Sequence, residues 1–415
     1  MKIAISTNID ASTSPMLNAY ISYLSSSEYQ FTISSDFKLI NHLPHNGNHF
    51  YSKYSENKFY YLLLPFVSIY LIYFVFKSLL FDKEFPLKKV KSKIIIKDLW
   101  GCTKFYLNLL ALNIIHFYNY LKYKPDLVIC ICAGSTLSAR WYKFITGTNY
   151  IYSMYEIYPN QFNPNYIFTT YLKSTIESKG CKSCVQIIIP VSNVYKRLLK
   201  LRYQLDSNKK FVQIANIVEN HKIQYSSSVS LPLKLYYHGG LDYQRGLDVL
   251  LDVIESFNCN QLHLYLRGGG ADTSPLKNIV NNKQLNDRVS FLETISPDLL
   301  PKESSKYDVG LTMVHNYTSN NRFLIGFKAV DYIAAGICLL VPDGYVLRKM
   351  VLDYDIGTYY EKLSHDKLRS SISYLVNNID KVQEFKINVI NIAKEEFNYN
   401  SQKEVFLKSI KKVIK

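Results

Sequence analysis

The sequence has only 2 Trp and 5 Met in 415 residues, and its 7 Cys are few and scattered. So few cysteines in so long a chain exclude a small disulfide-stapled scaffold. The 16 Gly show no three-residue period, which excludes a collagen, and the 13 Pro form no proline-rich tract. Acidic residues are short as well. There are 33 Asp plus Glu against 49 Lys plus Arg, a formal net charge of +16. An excess of that size points to an anionic partner: nucleic acid, a phosphorylated ligand or an acidic membrane surface. No helix-turn-helix, RNP or zinc signature supports the nucleic acid, so none is expected. Residues Met1–Ser6 lack the apolar core of a signal peptide, which makes a cytoplasmic protein the expectation.

What is present is a folded chain. Apolar residues make up 48% and charged residues 20%, and the length suits two or three domains. Cys181 and Cys184 form a single C-x-x-C with no second pair at zinc-binding distance. The cysteines therefore read as structural, and no metal is expected. Between Phe59 and Phe76 no charged residue occurs, and Lys77, Lys83, Lys88, Lys89 and Lys91 follow. An aromatic apolar segment beside lysines suits an anionic membrane surface. A buried core helix and a true span are the competing readings. Phe105–Leu121 is uncharged too, but Asn108, Asn113, His116 and Asn119 mark it as an amphipathic helix.

Elsewhere short β-branched runs alternate with amphipathic ones. Strands are expected at Ile3–Thr7, Asp126–Ala133, Asn149–Tyr155 and Val185–Ser192. A second series runs through Leu233–Gly239, Gln261–Arg267, Val289–Glu293, Asp308–Val314, Gly336–Pro342 and Gly357–Tyr360. Strand–helix alternation implies parallel sheets wound by helices. The fold class is therefore α/β, with two Rossmann-like domains facing a cleft. The expected boundaries are a first domain over 1–215 with the hydrophobic segment at 59–81, a polar linker over 216–232, and a second domain over 233–395. A membrane crossing at 59–76 would separate Ile3–Thr7 from Asp126–Ala133, two strands that belong in one sheet.

Four places could carry chemistry. In the first, a strand runs into Gly239 and Gly240, and Arg245 and Gly246 precede a helix. Bare backbone, a cation and a helix start together favour a diphosphate. The bland alternative is a strand–turn–helix with a surface arginine. In the second, Lys328 and Asp331 sit three apart on one helix face, suited to a phosphate and to ribose hydroxyls, or simply to an exposed ion pair. The third is the run Gly268, Gly269 and Gly270 straight after a strand, a turn on which a base could pack. The fourth is Glu156 at a strand end, where a carboxylate could position an acceptor hydroxyl or act as a base, or be an ordinary loop glutamate.

In order and spacing these pieces resemble glycosyltransferase family 4, retaining enzymes of the GT-B fold, including bacterial polysaccharide and lipid-linked glycan enzymes. The segment Gly326–Gly336 is similar to the family's Pro-Asn-Lys-x-x-Glu-Tyr-x-Ala-Ala-Gly variant, and His238–Gly246 to its strand end with Gly-Arg and a later cation before Gly. Three departures stand out. Gly240 replaces the family's arginine, Phe323 its first glutamate, and Tyr155 a histidine before Glu156. The resemblance implies a nucleotide-sugar donor as substrate, with no cofactor, and a glycan or lipid-linked acceptor. It implies Glu156, Arg245 and Lys328 as catalytic residues. Gly239, Gly240, Gly268, Gly269, Gly270 and Asp331 would complete the donor site. It also implies a C-terminal helix, 396–415, that returns to the first domain. Together with the lysine-flanked segment it places the protein at the inner face of the cell membrane. Other readings are a catalytically impaired relative that binds donor or scaffolds an assembly complex, and a sugar-nucleotide epimerase.

Overall fold

A computed structural model describes residues 1–7, 14–35, 47–51, 92–154, 167–189, 193–215, 217, 223–313, 322–323 and 325–414. The hydrophobic segment 59–76 and Glu156 lie outside them. The chain divides into two compact units, Met1–Ile214 with Leu407–Lys415, and Ala215–Phe406.

The first unit holds β1 (Lys2–Ser6), α1 (Pro15–Ser25), β2 (Gln30–Ser35), β3 (Gly47–Tyr51), α2 (Ser92–Tyr123), β4 (Leu127–Ile131), α3 (Thr136–Thr146), β5 (Tyr150–Ser153), α4 (Ile167–Ser183), β6 (Gln186–Ile189), α5 (Asn193–Tyr203) and β7 (Lys210–Gln213). Its sheet has seven strands in the order β3-β2-β1-β4-β5-β6-β7, all parallel. As expected, β1 and β4 are neighbours, with Ile3 opposite Leu127. Central strands are buried throughout, which is why they read as unbroken apolar runs. Helix α1 starts where Ser14 accepts from the Leu17 amide at 3.2 Å, with Pro15 supplying a preset φ.

Helix α2 contains the uncharged stretch, and its polar residues are fastened inside. Asn113 donates to the carbonyls of Leu109 and Gly134 and accepts from the Ser138 amide. His116 Nδ1 lies 2.7 Å from Ser34 Oγ, to which Asn119 also donates. Burial pushes the His116 imidazole down to about 3, so it is neutral. Cys181 and Cys184 are buried free thiols at the end of α4, with burial holding both well above the usual thiol range. Among the described residues no helix is long and apolar enough to cross a membrane.

The second unit holds β8 (Leu233–His238), α6 (Leu247–Ile254), β9 (Leu262–Arg267), α7 (Thr273–Asn282), β10 (Val289–Leu292), α8 (Leu300–Ser304), β11 (Val309–Leu311), α9 (Phe327–Ala335), β12 (Cys338–Pro342), α10 (Tyr345–Asp353), β13 (Gly357–Tyr360), α11 (His365–Asn377) and α12 (Ile379–Glu395). The last helix, α13 (Tyr399–Ile414), contains the division, since Leu407–Lys415 group with the first unit. The six strands run parallel in the order β10-β9-β8-β11-β12-β13. Leu235, Leu264, Leu311 and Leu340 from four of them are fully buried, packed with Leu250, Leu251 and Ile254 of α6. Burying a leucine side chain stabilises by about 1.5–3 kcal/mol, so this core fixes the sheet. At the amino ends of β8 and β11, Lys386 donates to Asp308 Oδ1 at 3.0 Å, and Asp308 Oδ2 accepts from the Lys234 amide at 3.0 Å.

Candidate functional site

Strand β8 has β9 on one side and β11 on the other. The winding direction reverses there, and the carboxyl ends of strands beside such a reversal are the usual ligand position of these sheets. The loop after β8 begins at Gly239, whose φ of +123 is open to glycine but not to ordinary side chains. The Gly239 amide donates to Arg267 O at 3.0 Å, and the Leu241 amide to Gly269 O at 3.1 Å. Tyr237 closes the turn by donating its hydroxyl to Gly240 O at 2.9 Å.

Lys328, in the first turn of α9, reaches into this loop. A Cβ on Gly239 would stand 2.8 Å from Lys328 Cε and 3.0 Å from Nζ, so the lysine lies against bare backbone. Its ammonium is 5.5 Å from the centre of the Tyr237 ring. Burial pushes Lys328 down to about 8, and the Arg245 guanidinium pushes the same way, while Asp331 and Asp242 oppose them. Two cations thus act on one spot. Among the described residues no carboxylate lies within ion-pair distance of Lys328. Arg245 is half exposed, and Asp242 stands beside it, with Oδ2 at 3.8 Å from Nε.

Asp331 does not pair with Lys328, as the three-residue spacing had allowed. It faces His238 at the end of β8, with Oδ2 3.2 Å from Nε2. The His238 amide donates to the Tyr332 hydroxyl at 3.3 Å, and that hydroxyl donates to Leu311 O at 3.2 Å. One residue of α9 thus stitches β8 to β11. His238 Nδ1 is buried without a hydrogen-bond partner.

The three glycines after β9 differ from one another. A Cβ on Gly268, at φ +139, would fall 2.0 Å from Gly239 O, and one on Gly270 would fall 2.6 Å from Leu241 O. Those two let the loops after β8 and β9 touch. Gly269 has open space where a Cβ would be. Arg267 is occupied, donating to the Tyr236 hydroxyl at 3.1 Å and to Glu293 O at 2.8 Å. The structure therefore brings together Gly239, Gly240, Arg245, Lys328 and Asp331, with Gly268–Gly270 on the adjoining loop. Tyr237, His238 and Asp242 join them, His238 and Asp242 having been read only as places in the segment His238–Gly246, with no role of their own. A titratable residue beside the glycines at a strand end was the only available signal. Among the described residues no group of three His, Cys, Asp or Glu side chains converges as a metal site would require.

Residues 223–391 match the family model of Glycosyl transferases group 1. The second unit is a glycosyltransferase domain. The match and the fold together support a glycosyltransferase, and the fold of the whole chain is GT-B. Sucrose-phosphate synthase from Thermosynechococcus elongatus superposes with a TM-score of 0.69 at 12% identity, over 99% of this chain and 98% of its own. HepE from Anabaena in complex with UDP gives 0.68 at 12% identity, over 99% and 100%. WaaG, a glycosyltransferase involved in lipopolysaccharide biosynthesis, gives 0.59 at 10% identity, over 97% and 98%. No curated protein sequence matches the chain.

Proposed function

We propose that this glycosyltransferase moves a sugar from a nucleotide-diphosphate-sugar to a glycan or lipid-linked acceptor in cell-surface polysaccharide synthesis, with retention at the anomeric carbon as in family 4. The observation that carries the reading is Lys328, a partly buried cation laid on the backbone of Gly239, repelled by Arg245 and paired with no carboxylate among the described residues. A diphosphate there would relieve the repulsion between the two cations.

The chemistry follows from where charge develops. As the bond between the anomeric carbon and the diphosphate oxygen breaks, negative charge grows on the leaving group. Arg245 and Lys328 would neutralise it, stabilising the transition state more than the bound donor. No metal is assigned a part in this proposal. Asp331, held by His238, would accept from the ribose hydroxyls, and Gly269 would be the face open to the base. Glu156 on the first unit would position the acceptor hydroxyl. HepE was crystallised with UDP and with UDP-glucose, which supports a nucleotide-sugar donor. The net charge of +16 and the lysine-flanked segment at 59–81 support a peripheral place at the inner face of the cell membrane.

The test is transfer or donor hydrolysis by purified protein against a panel of nucleotide sugars, with Lys328→Ala and Arg245→Ala beside it. Activity in the wild type that both variants lose supports the reading. Donor binding without turnover favours the second one, a catalytically impaired relative acting as a donor-binding or scaffolding subunit. Its motive is Gly240 in place of the family's arginine and Tyr155 in place of its histidine.

A further inference from the structure

The first sheet is wholly parallel, so the amino ends of its strands form one rim. Helices α2, α3, α4 and α5 each end shortly before a strand of that sheet, so their last turns lie along the same rim. The four most exposed large apolar side chains among the described residues sit in the C-terminal halves of three of these helices. They are Phe144 at 91%, Leu201 at 79%, Tyr118 at 64% and Ile145 at 63%. The neighbours beneath them connect. The Phe117 ring meets Trp141 edge-on at 6.0 Å, Tyr120 meets Tyr142 at 5.6 Å, and Lys143 donates to Ser183 O at 3.0 Å.

The same rim is basic. Lys2, Lys122, Lys124, Lys182, Arg202 and Lys210 are exposed along it. Against them stand Glu28, Asp206 and Asp126, and Asp126 already accepts from the Lys2 amide at 2.8 Å. Between Lys182 and Lys210 lies a pocket of about 350 Å³, lined also by Gln204, Asn208 and Lys209. Apolar tips that project from a cationic border match a surface that is anionic outside and apolar just beneath.

We propose that this rim docks on an anionic lipid bilayer, with Phe144, Ile145 and Leu201 entering the headgroup–acyl boundary and the lysines facing lipid phosphates. A second copy of the chain is disfavoured as the occupant, because two such rims would meet cation to cation. Nucleic acid would satisfy the lysines but leave the aliphatic tips in water. The proposal deepens the membrane part of the reading above and assigns it to residues outside 59–81. It also puts the lipid contact at the edge of the sheet opposite the strand carboxyl ends, where ligands of such sheets bind.

Co-sedimentation with vesicles tests it, using phosphatidylcholine alone and phosphatidylcholine mixed with phosphatidylglycerol. The wild type should bind the anionic vesicles and lose them at high salt. Phe144→Ser with Leu201→Ser, and separately Lys122→Glu with Lys124→Glu and Lys182→Glu, should each weaken binding about tenfold or more. Leu71→Ser with Ile72→Ser and Phe74→Ser should leave most of it. Thermal stabilisation by UDP is the control and should be unchanged in every variant. Rim variants that bind like the wild type, with the loss confined to the 71–74 variant, overturn the rim and leave the membrane reading standing. A wild type that ignores anionic vesicles overturns both. Rim-dependent binding of DNA, or a dimer that the rim variants dissolve, replaces the lipid by that partner and likewise overturns the proposal.

Discussion

The two ends of strands β8 and β11 each hold a lysine, Lys386 buried and Lys328 half-buried, and the two are treated in opposite ways. At the amino ends Lys386 reaches Asp308 at 3.0 Å, and the pair is almost fully covered, at 3% and 9% exposure. At the carboxyl ends Lys328 lies on Gly239 with no carboxylate within bonding distance among the described residues. The first arrangement satisfies its charges inside the protein. The second leaves a positive charge to be satisfied by something else. Burial of a cation by itself therefore says little, and the presence or absence of its partner separates scaffold from site.

The contrast breaks if the two lysines respond alike to removal. Lys386→Ala leaves Asp308 buried and uncompensated, and chemical denaturation should show a loss of about 3–5 kcal/mol. Lys328→Ala should cost little or no stability, because a repelled cation is removed. It should instead lower the rate of sugar transfer by about 100-fold or more, the scale of a lost transition-state donor. If Lys328→Ala unfolds the domain, or Lys386→Ala is silent, the distinction fails.

The glycine run sharpens the account at the next level. Gly268→Ala forces a Cβ against Gly239 O at a φ of +139, and should destabilise by about 2 kcal/mol. Gly269→Ala has room and should change stability by less than about 0.5 kcal/mol, while raising the KM for donor if that face meets the base. Equal effects at both positions would remove Gly269 from the site.

The pH dependence gives a graded test. Lys328 titrates near 8 in the folded protein, below the ordinary lysine value of 10.5. At pH 7 folded and unfolded states are both protonated, and the buried charge is a cost to folding. Between about 8 and 10.5 the folded state loses the proton first, so this group's contribution to stability rises with pH across that window. Donor affinity should move the other way, falling by up to about tenfold per pH unit above about 8 as the ammonium is lost. In Lys328→Ala both trends should vanish. A donor affinity flat from pH 7 to 9.5 would show that Lys328 is not at the phosphates.

Much of this was legible in the sequence, and the gaps have physical causes. Buried central strands announce themselves as apolar runs, so β1, β4, β5, β6, β8, β9, β11 and β12 were foreseeable, and the edge strands β10 (VSFL) and β13 (GTYY) keep enough apolar and aromatic residues to be read as well. Strands β2, β3 and β7 were not. The residues Thr32, Ser34 and Ser35 of β2 are buried yet polar, and Ser34 is held by His116 and Asn119, so the usual signal is missing. Strands β3 and β7 are edges of the sheet, with sequences GNHFY and KFVQ that carry little apolar pattern. In the site, the convergence of Gly239, Arg245 and Lys328 followed from strand ends and helix starts. The His238–Asp331 contact could not be anticipated, because it joins residues far apart in sequence through the neighbouring positions of β8 and α9.

The most direct measurement is thermal unfolding with a panel of nucleoside diphosphates and nucleotide sugars, on wild type and Lys328→Ala. A ligand at about 100 times its dissociation constant should stabilise the wild type by about 2.7 kcal/mol, and most of that shift should be lost in Lys328→Ala. A panel that shifts neither protein, or shifts both equally, would contradict the assignment of a diphosphate site at Lys328.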